Sequence, residues 1–383
     1  MSAPLKIAVI AGEASGDLLA ADAIAEMKQL SDRPIALMGV GGDQLAAQGL
    51  QSLYDYSELS VMGFTQVIAN LPRLLRRISE TASAVIKARP DILFIVDSPD
   101  FTHRVARRVR KALPDLPIVQ YVCPSVWAWK EYRAREMTAY VDHVLAVLPF
   151  EPEAMARLGG PPTTFVGHRL TANPQVVRAR QTIRGTDAEG RRTILILPGS
   201  RSGEIKSLSP VFADVASILS ERGGNYRFIT PTVRHRESQV RAAIESWPVK
   251  PDIVVGEEAK WQAFAVADAA VAASGTVVLE LALAGVPVVS AYKADFIGRF
   301  LLKKIVIWSA SLPNIIADRP LVPEYFDDTM RAGALARWME LLAAETAQRR
   351  VMLDGFATVW KTMLTDVAPG RRAAEILLEY VKA

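Results

Sequence analysis

The chain has 383 residues, half of them apolar and 22% charged; this excludes a disordered or fibrous polymer and leaves room for two domains of ordinary size. A net charge of +4 suits an anionic substrate or a membrane surface and is too weak to argue for nucleic acid. The single cysteine, Cys123, excludes an intrachain disulfide and a cysteine-based metal site, and points to a reducing compartment.

The N-terminus does not read as a secretory signal: one lysine precedes a short apolar run that stops at Gly12-Glu13. The first half then repeats strand and helix. Strands are predicted over Lys6–Ala11, Ile35–Val40, Ile92–Val96, Ile118–Val122, His143–Val147 and Thr164–Val166. Helical patterns fall over Asp17–Leu30, Gln44–Gly49, Phe64–Lys87 and Thr102–Leu113. Such alternation predicts a mostly parallel sheet covered by helices. Near 167–191 the pattern lapses into polar and charged residues, and a domain boundary is placed there.

The second half restarts with strands Thr193–Leu197, Arg227–Thr230 and Ile253–Val255, each followed by a helix. The apolar stretch Ala265–Tyr292 is long enough to suggest a membrane span. Asp268, Glu280, Gly285 and Pro287 interrupt it, so it reads instead as strand, helix, strand in a buried core. Helices are predicted over Thr329–Leu364 and Arg371–Lys382. The last of these can cross back to the first domain or reach a partner chain. The expected domains are 1–168, 169–355 and a helical tail at 356–383.

Five turns carry chemistry. AGEASGD at 11–17 follows the first strand; its glycines allow close backbone approach, Ser15 suits a helix cap, and Glu13 is acidic. It is not a dinucleotide fingerprint, and a purely structural turn fits it too. DSPDF at 97–101 puts Asp97 and Asp100 at a strand end, where a carboxylate can serve as general base; capping by Ser98 or Asp100 is the plainer alternative. YVCPSVWAW at 121–129 brings Trp127 and Trp129, which suit either the wall of a sugar or acyl pocket or an apolar plug. LPGSRSGEIK at 197–206 offers Gly199, Ser200 and the five donors of Arg201 to a diphosphate, without the ending of a P-loop; a surface arginine beside an ordinary turn fits it equally. SGTVVLE at 274–280 places Ser274, Gly275 and Thr276 before a helix, with Thr276 as N-cap. The helix's N–H groups attract phosphate, and Glu280 can accept from a ribose hydroxyl pair; many α/β turns of this composition bind nothing.

A basic amphipathic stretch, VMGFTQVIANLPRLLRRI at 61–78, carries Val61, Met62 and Phe64 with Arg73, Arg76 and Arg77. It suits a lipid surface or acyl chain as well as ordinary packing. FIGRFLLKKIVIW at 296–308 repeats that mixture. The four histidines lack metal-ligand spacing, and no DxD motif is present, so neither metal nor cofactor is expected.

These motifs, with ELSVMGF at 58–64, FVGH at 165–168 and SLPNIIA at 311–317, run in order along most of the chain. Together they resemble the lipid A disaccharide synthases, inverting glycosyltransferases of the GT-B type. The resemblance implies an α/β fold of two Rossmann-like domains with a cleft between them. It implies condensation of UDP-2,3-diacylglucosamine with 2,3-diacylglucosamine 1-phosphate (lipid X), giving a β-1,6-linked disaccharide 1-phosphate and UDP. Asp97 becomes the expected base for the acceptor 6-hydroxyl, with Asp100 and Glu13 as alternatives. Arg201 and the 274–276 turn would hold the diphosphate, Glu280 the ribose, and Asn314 and Glu324 would complete the donor site. The 61–78 segment would meet acyl chains at the cytoplasmic face of the inner membrane, and a homodimer with swapped C-terminal helices is compatible with the family. A UDP-sugar epimerase, another UDP-sugar transferase with a soluble acceptor, and a non-catalytic nucleotide-binding adaptor are the competing readings.

Overall fold

The computed structural model describes residues 3–59, 64–293 and 306–382, without the side chains of 64–70 and 382. The chain forms two compact units, Met1–Arg169 with Thr365–Ala383, and Leu170–Leu364. Each contains one six-stranded parallel sheet. Two parallel α/β sheets are the fold class expected from the sequence.

In the first unit the strands are β1 (Leu5–Ala11), β2 (Ile35–Val40), β3 (Ile92–Val96), β4 (Ile118–Tyr121), β5 (His143–Ala146) and β6 (Thr163–Phe165), in the order β2-β1-β3-β4-β5-β6. Every residue of β3 and β4 is buried, which explains the unbroken apolar run of β3; the one polar side chain of β4, Gln120, is hydrogen-bonded internally. The chain order reverses between β1 and β3. Helix Ala14–Leu30 leaves the end of β1, and helix Pro99–Ala112 leaves the end of β3.

The terminal helix Pro369–Lys382 belongs to this unit and packs along helix Ala14–Leu30. Ala373, Ala374 and Leu377 are fully buried in the same core as Ala20, Ala23, Ile24 and Met27. The small side chains let the two helices approach closely, and a buried Leu or Ile contributes roughly 1.5–3 kcal/mol. His143 on β5 and Tyr380 add a hydrogen bond of 3.1 Å between Nδ1 and the phenol.

In the second unit the strands are β7 (Arg192–Leu197), β8 (Tyr226–Thr232), β9 (Asp252–Val255), β10 (Ala269–Ala273), β11 (Val288–Tyr292) and β12 (Glu324–Phe326), in the order β12-β11-β10-β7-β8-β9. Here the reversal lies between β7 and β10. The stretch Ala265–Tyr292 is the end of one helix, then β10, helix Thr276–Leu283 and β11, all inside this unit. No helix among the described residues is long and apolar enough to cross a membrane.

Ser15 does not cap its helix: Glu13 occupies the N-cap and Ser15 lies within the first turn. Thr276 is likewise the first helical residue after an N-cap at Gly275. Ser98 holds the N-cap position of its helix without a side-chain cap, and Asp100 lies beyond it in the first turn. Asp17 serves a different helix from its own, accepting from the N–H groups of Gly42, Gln44 and Leu45 at 2.7, 2.9 and 3.3 Å. The polar stretch after 167 still forms a helix, Pro174–Gln181, begun by Asn173, whose side chain accepts from Gln175 N.

Candidate active site

In parallel α/β sheets, ligands gather beyond the carboxyl ends of the strands where the strand order reverses. In the first unit that point lies between Gly12-Glu13, after β1, and Asp97-Ser98, after β3. The two turns touch: Ser98 Oγ donates to Glu13 Oε1 at 3.4 Å. Gly12 permits this, because a Cβ there would stand 2.8 Å from Ser98 Oγ. Asp97 and Ser98 both adopt positive φ, 53° and 44°, and Asp97 Oδ1 accepts from Ser98 N at 2.8 Å. Two consecutive non-glycine residues in the left-handed region are strained, and such strain concentrates at functional turns. Glu13 is exposed to solvent on one side. Its carboxyl is nonetheless pushed above the usual glutamate range, first by partial burial and then by the Asp97 carboxylate, while the Ser98 hydrogen bond acts the other way. Asp100 is 92% exposed and faces Arg133 at 3.8 Å.

The adjoining loop after β4 separates the two tryptophans. Trp127 is buried, set edge-on against Phe150, and donates through Nε1 to Glu151 Oε1 at 3.2 Å. Glu151 also accepts from Val147 N and Leu148 N at 3.2 and 3.0 Å. Burial pushes its carboxyl up to about 8, against the pull of those three donors. Trp129 is exposed, with Lys130 Nζ 4.1 Å from its ring centre. Sequence pattern alone could not separate the two, because the partner of Trp127 lies on a later helix.

The reversal point of the second unit opens into a cavity of about 680 Å³. Its walls come from the ends of β7, β8 and β10 and the turn after β9. Gly199, Ser200 and Arg201 supply one side, and Ser274, Gly275, Thr276 and Glu280 another. Gly199 has φ +109° and faces Glu204, so a side chain there would be strained and obstructed. Glu204 ties the turn together: its carboxylate accepts from Ser200 N and Arg201 N at 3.2 Å each, and pairs with Arg201 Nη1 at 3.0 Å. Arg234, Glu257 and Lys260 also line the cavity; the sequence reading did not single them out. Lys260 Nζ lies 3.0 Å from Glu280 Oε2.

Asn314 and Glu324 meet outside those walls. Asn314 is 1% exposed, its amide donates to Ser309 Oγ, Val322 O and Glu324 Oε2, and its carbonyl accepts from Leu321 N and Val322 N. Glu324 also accepts from Ser309 Oγ and Ala310 N. Val61 and Met62 lie outside the described residues, as does the side chain of Phe64; residues 296–305 do so as well. On helix Phe64–Ala88, Arg73 and Arg77 both pair with Glu58, at 3.0 and 2.9 Å. Arg76, Leu71 and Leu75 are exposed. Among the described residues no group of three His, Cys, Asp or Glu is disposed to hold a metal ion.

The profile of the family described as lipid-A-disaccharide synthetase matches residues 7–360. A lipid-A-disaccharide synthase of Nitrobacter winogradskyi is 44% identical over 379 residues, spanning 98% of this chain and 96% of the relative. The chain belongs to the lipid-A-disaccharide synthase family. A second lipid-A-disaccharide synthase, from Rhodopseudomonas palustris strain HaA2, is 45% identical over 383 residues, spanning 98% and 96% of the two chains. Membership makes this protein a glycosyltransferase of lipid A biosynthesis. Solved structures share the fold at low identity. Acinetobacter baumannii MurG superposes with a TM-score of 0.56 at 14% identity, covering 99% of both chains. The S. aureus MnaA–UDP co-structure superposes at 0.62 and 11%, covering 99% of this chain and 96% of that one.

Proposed function

We propose that this synthase-family member condenses UDP-2,3-diacylglucosamine with 2,3-diacylglucosamine 1-phosphate, inverting the anomeric carbon and releasing UDP. The observation that carries the reading is the second-unit cavity, where cations, a helix N-terminus and a carboxylate converge. UDP needs that combination. Arg201 and the N–H groups of the 274–276 turn neutralise the charge that builds on the departing diphosphate. Glu280 accepts from the ribose hydroxyls. Gly199 and Ser200 bring backbone close to the phosphates. Asn314 and Glu324 enter as the brace of the loop beside β11 and β12, since their polar atoms are already engaged there.

Asp97 takes the proton of the acceptor 6-hydroxyl, with Glu13 as its neighbouring carboxyl; inversion needs only one such base. Trp129 offers an open aromatic face to the acceptor sugar, and Trp127 supports the loop from below. Helix Phe64–Ala88 is assigned to acyl chains and an anionic inner-membrane surface through its exposed Leu71, Leu75, Arg73 and Arg76, while Arg77 is engaged by Glu58 and Glu80. Its mix of exposed leucines and arginines supports that assignment.

The test is UDP release on mixing acylated donor with acylated or deacylated glucosamine 1-phosphate acceptors. Release that requires the acylated acceptor supports the reading. Equal release with the deacylated one would overturn the lipid acceptor and favour a transferase with a soluble substrate. Loss of donor without disaccharide would point to an epimerase or hydrolase.

A further inference from the structure

Lys260 sits near the start of helix Glu257–Val266, after β9, and lines the second-unit cavity. Its side chain is 18% exposed, and a lysine so enclosed requires a partner. It has two. Glu257, three residues earlier on the same helix, lies 3.0 Å away but is 62% exposed, so that pair contributes little. Glu280 lies 3.0 Å away on a different helix, Thr276–Leu283, and is 20% exposed. The ring of Trp261 stands against the ammonium, 4.6 Å from Nζ to the ring centre. Lys260 is therefore fixed on one side by an aromatic face and on the other by the carboxylate assigned to the ribose.

We infer that Lys260 is a positioning residue that holds the Glu280 carboxylate in the orientation that receives the ribose hydroxyls of the uridine nucleotide. The inference rests on the assignment of Glu280 to the ribose made above. Glutamate has three rotatable bonds, and freezing them only when the ligand arrives weakens binding. An ion pair between two helices that both flank the cavity freezes them beforehand. It also sets specificity: a site built to hydrogen-bond a hydroxyl rejects an analogue without it, but only while its acceptor is held in place. A lysine that acted instead on the phosphates would favour every nucleoside diphosphate equally.

Binding of UDP and of 2′,3′-dideoxy-UDP to the full-length protein by titration calorimetry separates these roles. Wild type is expected to prefer UDP by about tenfold or more, the scale of hydrogen bonds to a charged acceptor. Lys260→Met should weaken UDP by about tenfold and leave the dideoxy nucleotide nearly unchanged, so the preference collapses. Lys260→Arg should restore most of it. In turnover, the donor KM should rise more than kcat falls. An unchanged preference in a folded Lys260→Met protein overturns the inference, as does an equal loss for both nucleotides. Failure of wild type to prefer UDP is a different result: it removes the ribose assignment of Glu280 itself.

Discussion

Ser98 Oγ lies 3.4 Å from Glu13 Oε1, joining turns that leave β1 and β3 and are 85 residues apart in sequence. The contact gathers two carboxyls, those of Glu13 and Asp97, at one strand-order reversal. Their mutual repulsion adds to partial burial in raising Glu13. Raising one carboxyl of a neighbouring pair is one way acid and base roles are divided in enzyme sites. Asp97→Asn should lower kcat by roughly 100-fold or more, the contribution of a general base, with UDP affinity intact. Glu13→Gln should cost less and move the acidic limb of the pH–rate profile, because it removes the raised carboxyl. Asp100→Asn, at an exposed site, should be close to wild type. Steady-state rates from pH 5 to 9 decide this. A fast Asp97→Asn with a slow Glu13→Gln would give the base role to Glu13.

Arg201 is 76% exposed and is restrained chiefly by Glu204. Since Glu204 also accepts the N–H groups of Ser200 and Arg201, one carboxylate sets both the backbone of the turn and the direction of the guanidinium. Arg201→Ala should lower turnover by roughly 100-fold, the scale of losing a group that stabilises developing charge. Arg201→Lys should recover part of it, because a point charge replaces the planar fork. Rates at saturating donor, with UDP affinity measured in parallel, check this; near-wild-type turnover in Arg201→Ala would remove Arg201 from the diphosphate.

Strand β3 was legible because burial on both faces leaves only apolar residues in it: Ile92–Val96 was read to the residue. Helix starts were read less well. Ser15 and Thr276 have the right chemistry for caps, but Glu13 and Gly275 take the cap positions, and backbone geometry rather than residue type decides between neighbours. Strand β12, three residues long, carries too little pattern to read. The glycine turns of both units were visible as local composition. Lys260 was not, because its meaning comes from Glu280, 20 residues away across a strand. Asn314 drew notice through its motif, yet its five hydrogen bonds are fixed by a fold that no local window contains.

His103 shows the same gap between residue type and role. The sequence offered it no metal partner, and the structure buries it in a directed chain of hydrogen bonds. Arg107 can only donate, and its Nη2 lies 3.4 Å from the phenol oxygen of Tyr140. The Tyr140 proton therefore goes to His103 Nδ1, at 3.1 Å. His103 then carries its proton on Nε2 and donates it to Gln120 Oε1 at 3.2 Å. The Gln120 amide in turn donates to the carbonyls of Tyr121 and Val122, at 3.1 Å each. Val122, a β-branched residue, is held there at φ 69°, and Tyr121 O also receives Asp97 N at 3.0 Å, so the chain braces the Asp97 turn. A second proton on His103 would oppose the Tyr140 bond. Burial above all, then the charge of Arg133, lowers its pKa from 6.5 to about 4; the Gln120 bond works the other way, and Arg107 adds a smaller push down. Between those two values the unfolded chain binds the proton and the folded one does not, so stability falls as pH drops from 6.5 toward 4. The shift corresponds to about 3 kcal/mol. Imidazole NMR should show His103 without titration above pH 5. Urea midpoints should fall between pH 7 and 4 more steeply for wild type than for His103→Gln. Equal slopes, or a His103 signal that titrates near pH 6.5, would show that the imidazole exchanges protons with solvent and does not fix the direction of the chain.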